Sequence, residues 1–251
     1  TDVYVASPEA YENRPKYREA GAIEVVAVLN NTEMRHEHDQ AVRRYRHRAD
    51  ELPIDIRVEE NLTVAELART FETRHDLVHF VGHSDDRGLE CVDGFMSVSS
   101  VEESNAQTFF LNACGSYHEG VGLVRRGSVA GGVTFEAVTD DQAARVGTTF
   151  ARLMTRGYSL ERALEIASER GMTPRDYTVV GDGTHVLTQS ESIVPPELRL
   201  VDDGDEFVLE VCQNAPHMKG GQAQDVYHGE ASPDYLDLRT RRYRVTAADV
   251  R

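Results

Sequence analysis

Two short apolar runs each end on a side chain able to do covalent or proton chemistry. Asp76-Leu77-Val78-His79-Phe80-Val81 reads as a buried strand that empties into Gly82-His83-Ser84-Asp85. Thr108-Phe109-Phe110-Leu111 reads as a second, emptying into Asn112-Ala113-Cys114-Gly115-Ser116. Open parallel sheets bind ligands beyond the carboxyl ends of their strands. Adjacent strands ending this way would hold the His83 imidazole and the Cys114 thiol at one rim. A thiol is a weak nucleophile until a base raises its thiolate fraction, so the two together have the makings of a Cys-His dyad. Cys91 and Cys212 lack catalytic neighbours in sequence and read as small core hydrophobes. His79 points to the opposite side of its strand from its neighbours and reads as a core histidine, or one that orients the site. His79 and His83 have the i, i+4 spacing of a helical zinc pair. On a strand that spacing spans more than about 12 Å, so no metal site is expected there.

His-Phe-Val-Gly-His over 79–83 and Leu-Asn-Ala-Cys-Gly-Ser over 111–116 resemble the His and Cys boxes of CHAT-type peptidases, relatives of caspases, separases and gingipains. The resemblance covers roughly residues 21 to 190. It implies that His83 is the catalytic base and Cys114 the nucleophile, working as a dyad without a third carboxylate. It further implies that backbone amides near Ser84 and Cys114 bind the oxyanion. The family usually has Gly after that histidine; Ser84 keeps the N–H and suffices if the turn needs no positive φ. The strand ending in Gly181-Asp182 also resembles the family pattern, which usually continues with Pro where this chain has Gly183. Val138-Thr139-Asp140 is similar to a separase segment whose acid faces the arginine before the scissile bond. Asp140, or Asp141 beside it, would thus select Arg through a bidentate pair. Helix capping is the other role open to both aspartates.

Formal charge over the 251 residues is 27 − 43 = −16, and Lys16 and Lys219 are the only lysines. That balance repels phosphate and excludes nucleic acid as a partner. Excess acid with Arg over Lys points to a salt-adapted cytoplasm, although a GC-rich genome alone would also favour Arg. Three cysteines form no disulfide framework, which fits a reducing compartment, and no run suits a signal or membrane span. No cofactor is expected. Opening on Thr1 rather than Met, the chain is expected to belong with further regions or a regulatory partner.

The remaining elements must position the pair. Residues 1–20 lack a clean period and read as an approach segment. A strand is expected over 23–30. A helix over 33–51 follows, with Met34, His38, Ala41, Val42 and Tyr45 at helical spacing. His36, His38 and His47 on this helix read as a solvated face rather than a metal site. Ile54–Val58 alternates as a strand, and Thr63 with Glu66 forms a capping box for a helix that turns Leu67, Ala68 and Phe71 inward. Residues 88–96 suggest a small β excursion turning at Asp93-Gly94. Val121–Arg126 begins a helix, 128–138 is a strand, and a helix over 142–157 and another that starts within 158–161, capped by Ser159 and closed by Gly171, precede a last strand over 176–180. Alternation of this kind predicts an α/β fold: a caspase-like open, mostly parallel sheet flanked by helices, over 21–189. After Pro195-Pro196 the pattern changes to alternating strands, so 190–251 reads as a β-rich appendage.

The expected function is a cysteine endopeptidase acting on a protein or peptide substrate. The alternatives are a catalytically silent scaffold or sensor of the same fold, and a doubly wound ligand-binding domain. The latter is disfavoured by the lack of a Gly-x-Gly-x-x-Gly turn after the first strand. The charge excess makes a separate forecast. Salt screens like-charge repulsion over a few Å, so the melting temperature should rise from dilute buffer to molar KCl. Each kcal/mol of relieved repulsion should add about 2–4 °C, and a flat or falling curve would refute salt adaptation.

Overall fold

The computed structural model describes residues 4–5, 7–17, 21–135, 139–171 and 176–188, and five strands within 196–245. The chain divides into two units, Thr1–Thr188 and Gln189–Arg251. In the first unit the elements run β1 (Tyr4–Val5), α1 (Pro8–Asn13), β2 (Ile23–Leu29), α2 (Arg35–Ala49), β3 (Ile54–Glu60), α3 (Val64–Glu72) and β4 (His75–Val81). They continue with β5 (Ser84–Asp85), β6 (Gly88–Cys91), β7 (Gly94–Met96), β8 (Ala106–Asn112), α4 (Tyr117–Arg125), β9 (Ala130–Thr134), α5 (Asp140–Met154), α6 (Leu160–Gly171) and β10 (Tyr177–Gly181).

Seven strands form one sheet in the order β1-β10-β9-β8-β4-β2-β3. All its neighbours are parallel except β10, which runs antiparallel to β9. The fold is therefore α/β with a mostly parallel sheet flanked by helices. Central β4 and β8 are buried almost throughout, as strands covered on both faces must be. Their alternation sorts the core. Val78, Phe80, Phe109 and Leu111 pack with Leu67 and Phe71 of α3 and Leu123 of α4. On the other face, Phe110 packs with Val146 and Phe150 of α5 and Leu164 of α6, while Leu77 meets Ala41 and Tyr45 of α2.

Local signals account for most boundaries. The Thr63–Glu66 capping box is present, with Glu66 accepting from the Thr63 N–H at 2.9 Å and the Glu66 N–H donating back to Thr63 Oγ1 at 3.3 Å. Helix α5 is capped by Thr139, whose N–H and hydroxyl both donate to Gln142 Oε1, so it starts at Asp140 rather than Gln142. The β excursion is a three-stranded sheet, β5-β6-β7, turning at Val92-Asp93 with Gly94 at φ +152°. Strand β9 stops at Thr134, and residues 136–138 of the longer expected strand lie outside the described residues. Residues 7–17 are tied to the end of α4 and to the loop that leads from it to β9. Asn13 Nδ2 donates to the carbonyls of Val124 and Ser128, and the Tyr17 hydroxyl to that of Gly127. Among the described residues no helix is long and apolar enough to cross a membrane.

The second unit contains β11 (Pro196–Asp202), β12 (Phe207–Gln213), β13 (Gln222–Gln224), β14 (Ala231–Tyr235) and β15 (Arg241–Val245). They form a three-stranded antiparallel sheet, β11-β12-β15, and a separate pair, β13-β14. Residues 236–240 of the expected β-rich appendage lie outside the described residues.

The helix after Cys114 begins at Tyr117, four residues before the expected start. Gly120 and Gly122 argue against a helix by propensity, yet close packing requires both. A Cβ on Gly120 would collide with Val133 and lie 3.2 Å from Phe109 and 3.3 Å from Val180, while one on Gly122 would collide with Val98. Gly120→Ala should therefore destabilise by about 1–3 kcal/mol through overpacking, although propensity alone would favour Ala by about 1 kcal/mol. Chemical denaturation checks the sign; a stabilised variant would contradict the packing.

Candidate active site

Strands β4 and β8 pair in parallel, with His79 opposite Phe110 and Val81 opposite Asn112. Each then leaves the sheet, and the Gly82 N–H donates to the Asn112 carbonyl at 3.4 Å. His83 lies two residues past Val81 and Cys114 two past Asn112. The register thus delivers both to one rim, from strands about 4.8 Å apart. His83 is exposed, and its carbonyl accepts from the Glu90 N–H at 2.9 Å, fixing its backbone to β6. Ser84 opens β5 opposite Leu89. Asn61 is the one non-glycine with positive φ among the described residues, so Ser84 fits where the related pattern has Gly without left-handed strain.

The cysteine turn is pinned on its β9 side by two buried hydroxyls. Ser116 Oγ donates to the Leu111 carbonyl at 3.1 Å and accepts from the Thr134 N–H at 3.2 Å. Thr134 Oγ1 in turn donates to the Ala113 carbonyl. Gly115 has φ +70°, a conformation glycine adopts at little cost. Cys114 is half-buried just before the N-terminus of α4. Cys91, by contrast, is buried, and burial pushes its thiol up to about 11.

A cavity of about 300 Å³ opens beside Cys114, walled by Ser84, Asp85 and Asp86 on one side, by His118 and Glu119 of α4 on the other, and by Phe135. Phe135 packs on Tyr117 at a ring separation of 4.8 Å. Asp85 holds Arg87 at 2.6 and 3.1 Å, and that guanidinium keeps its carboxyl below the usual range. Burial pushes the Glu119 carboxyl up, against the pull of the Val98 N–H that donates to it.

Asp141, at the second position of α5, is exposed, and the Asp140 side chain lies outside the described residues. Among the described residues no group of three or more His, Cys, Asp or Glu is placed to hold a metal ion.

A buried polar layer underlies the rim on the α2–α5 face. His79 is 1% exposed, with Nδ1 2.9 Å from the Tyr45 hydroxyl and its ring edge-on to Phe110. Burial first, then nearby His38, push its imidazole down to about 3. His38 is itself buried, which corrects the solvated reading of its helix face; His36 and His47 are exposed as expected. Asn112 Nδ2 donates to Glu37 Oε1 and to the Ala143 carbonyl at 3.0 Å, and Asn112 Oδ1 accepts from the Tyr177 hydroxyl. Glu37 was absent from the sequence expectations, although it stands one turn before Ala41 on the inward face.

No family model matches the chain, and no curated protein is similar to it in sequence. Solved structures do resemble it. It superposes on the Arg specific cysteine proteinase gingipain R with a TM-score of 0.54 at 12% identity, covering 92% of this chain and 62% of that one. A complex of the pro- and mature domains of Porphyromonas gingivalis RgpB gives 0.53 at 12% identity, with 92% and 63% covered. The chain thus spans under two thirds of the length of these structures, and the likeness establishes the caspase-like fold.

The buried imidazole has a measurable consequence. His79 binds its proton at a lower pH folded than unfolded, where about 6.5 is usual. Its contribution to stability is fully present above about 6.5 and is lost as pH falls toward about 3. His79→Phe should flatten the acid limb of unfolding free energy against pH by up to about 1.4 kcal/mol per pH unit. Parallel limbs for variant and wild type would show that His79 does not titrate in this way.

Proposed function

We propose that the chain is a cysteine endopeptidase of the caspase-like kind, with Cys114 as nucleophile and His83 as general acid–base. The observation that carries this reading is the Val81–Asn112 register, which brings the two strand ends to one rim. Cys114 Sγ attacks the peptide carbonyl carbon as His83 takes the thiol proton. Collapse of the tetrahedral intermediate breaks the C–N bond, and His83 gives that proton to the departing amine. Water, deprotonated by His83, then hydrolyses the thioester, releasing the carboxylic acid and the free thiol. The backbone N–H groups of Ser84 and Cys114 receive the oxyanion. A reducing, cytoplasmic setting would keep Cys114 as a thiol.

Cleavage after Arg is the proposed specificity, through Asp140 or Asp141. Support comes from the parallel β8–β9 pairing, which directs the segment after β9 to the same end of the sheet, and from the likeness to a structure described as Arg specific. The same fold without catalysis would serve as a CHAT-type scaffold, so activity must be measured directly.

Cys114→Ala and His83→Ala should each lower kcat on a susceptible peptide by at least about 10⁴-fold, since members of one catalytic unit fail together, with melting temperatures unchanged. Near-normal turnover in either variant would end the peptidase reading. On matched Arg, Lys, Asp and Leu peptides, Asp140→Ala should lose the Arg preference. A wild type that prefers Asp or Leu refutes the pocket, and an undiminished preference in the variant moves it to Asp141.

A further inference from the structure

We propose that Glu37 is a positioning residue for Cys114, acting through the hydrogen bond that its carboxylate accepts from the Asn112 side chain. Glu37 is 3% exposed and Asn112 1%. Asn112 is the last residue of β8, and its backbone runs directly into Ala113 and Cys114. The Asn112 amide joins four elements at one point: β8 itself, α2 through Glu37, α5 through the Ala143 carbonyl and β10 through the Tyr177 hydroxyl. Ser116 and Thr134 hold the same turn from β9. Cys114 is thus suspended between two buried hydrogen-bonded anchors, and Glu37 belongs to the one on the α2–α5 face.

Burying a polar side chain costs free energy unless it is hydrogen-bonded. A hydrogen bond made in that setting fixes a direction that apolar packing would leave free. The space around this one is closed. A Cβ on Gly147 of α5 would come within 3.0 Å of Asn112 Nδ2, 3.5 Å of His79 Nε2 and 3.6 Å of Glu37 Oε1. Helix α5 therefore seals the cluster, and the amide has little freedom to find another acceptor. Burial, then the neighbouring Glu37, Cys114 and Asp176, push the Tyr177 hydroxyl well above its usual range.

The test compares Glu37→Met, which keeps volume but loses the acceptor, with Glu37→Gln, which keeps an acceptor oxygen. Two readouts are used: the rate at which iodoacetamide labels Cys114, followed by peptide mass, and peptide turnover. The first needs no substrate; only the second rests on the peptidase reading. Glu37→Met should slow labelling and lower kcat by about 100-fold, the scale of a misplacement of about 1 Å, with KM within about threefold. Glu37→Gln should restore both to within about threefold of wild type. Wild-type labelling in Glu37→Met, or labelling in Glu37→Gln as slow as in Glu37→Met, overturns the proposal. If Glu37→Met lacks a cooperative melt, Asn112→Leu, which removes the donor to Glu37, decides: slower labelling with a cooperative melt supports the route through Asn112, and unchanged labelling overturns it. A wild type that turns over no peptide, with slowed labelling in Glu37→Met and recovery in Glu37→Gln, keeps the positioning role and ends the peptidase reading instead.

Discussion

The parallel register between β4 and β8 is the constraint on which the rest of the structure depends. Side chains alternate along a strand, so a slip of one residue moves every side chain of that strand to the opposite face. In the observed register Phe80 and Leu111 point to the α3–α4 core, while His79 and Asn112 point to α2 and α5. A slip of either strand would drive a polar group into the cluster around Leu67 and Phe71 and separate it from its partners. Each buried polar group left unpaired costs about 1–3 kcal/mol. Apolar packing and polar pairing thus select the same alignment, and that alignment carries His83 and Cys114 to one rim.

The polar layer under the rim and the glycines beside it serve the same end by different physics. Gly120 and Gly122 sacrifice helix propensity so that α4 can lie against β9, β10 and the turn at Val98. Its N-terminus is thereby held directly after the Cys114 turn. Asn112, Glu37 and Tyr177 bury polar atoms that an oil-like core would omit. Each is hydrogen-bonded, and the bonds fix a direction that apolar contacts would leave free. The cavity has a hydrogen-bonded base and an open mouth: half-buried Cys114 lines it, as does Asp85, which pairs with Arg87, and His83 stands exposed at the end of β4.

Much of this was legible in the sequence, and the rest was hidden for definable reasons. The two apolar runs ending in His83 and Cys114 were readable because central parallel strands are buried on both faces. The Thr63 capping box announced itself through side chains three residues apart. Helix α4 was placed four residues late because the requirement for its glycines comes from strands elsewhere in the chain. Glu37 was passed over, and His38, though at inward spacing, was read onto a solvated face, because polarity masked position; both stand on the inward face of α2. The reversal of β10 against β9 has no local signature, since it is set by the path of the chain after α6.

The central claim is that His83 and Cys114 act on one another, and the most direct measurement is the reactivity of the thiol itself. Iodoacetamide labelling at neutral pH, with each cysteine peptide followed by mass, reports it without any assumed substrate. The account predicts that Cys114 reacts well ahead of buried Cys91. It also predicts that His83→Ala slows Cys114 labelling by at least about tenfold, because the neutral thiol is a poor nucleophile. Equal labelling rates at Cys114 in wild type and His83→Ala, with both proteins folded, would contradict it.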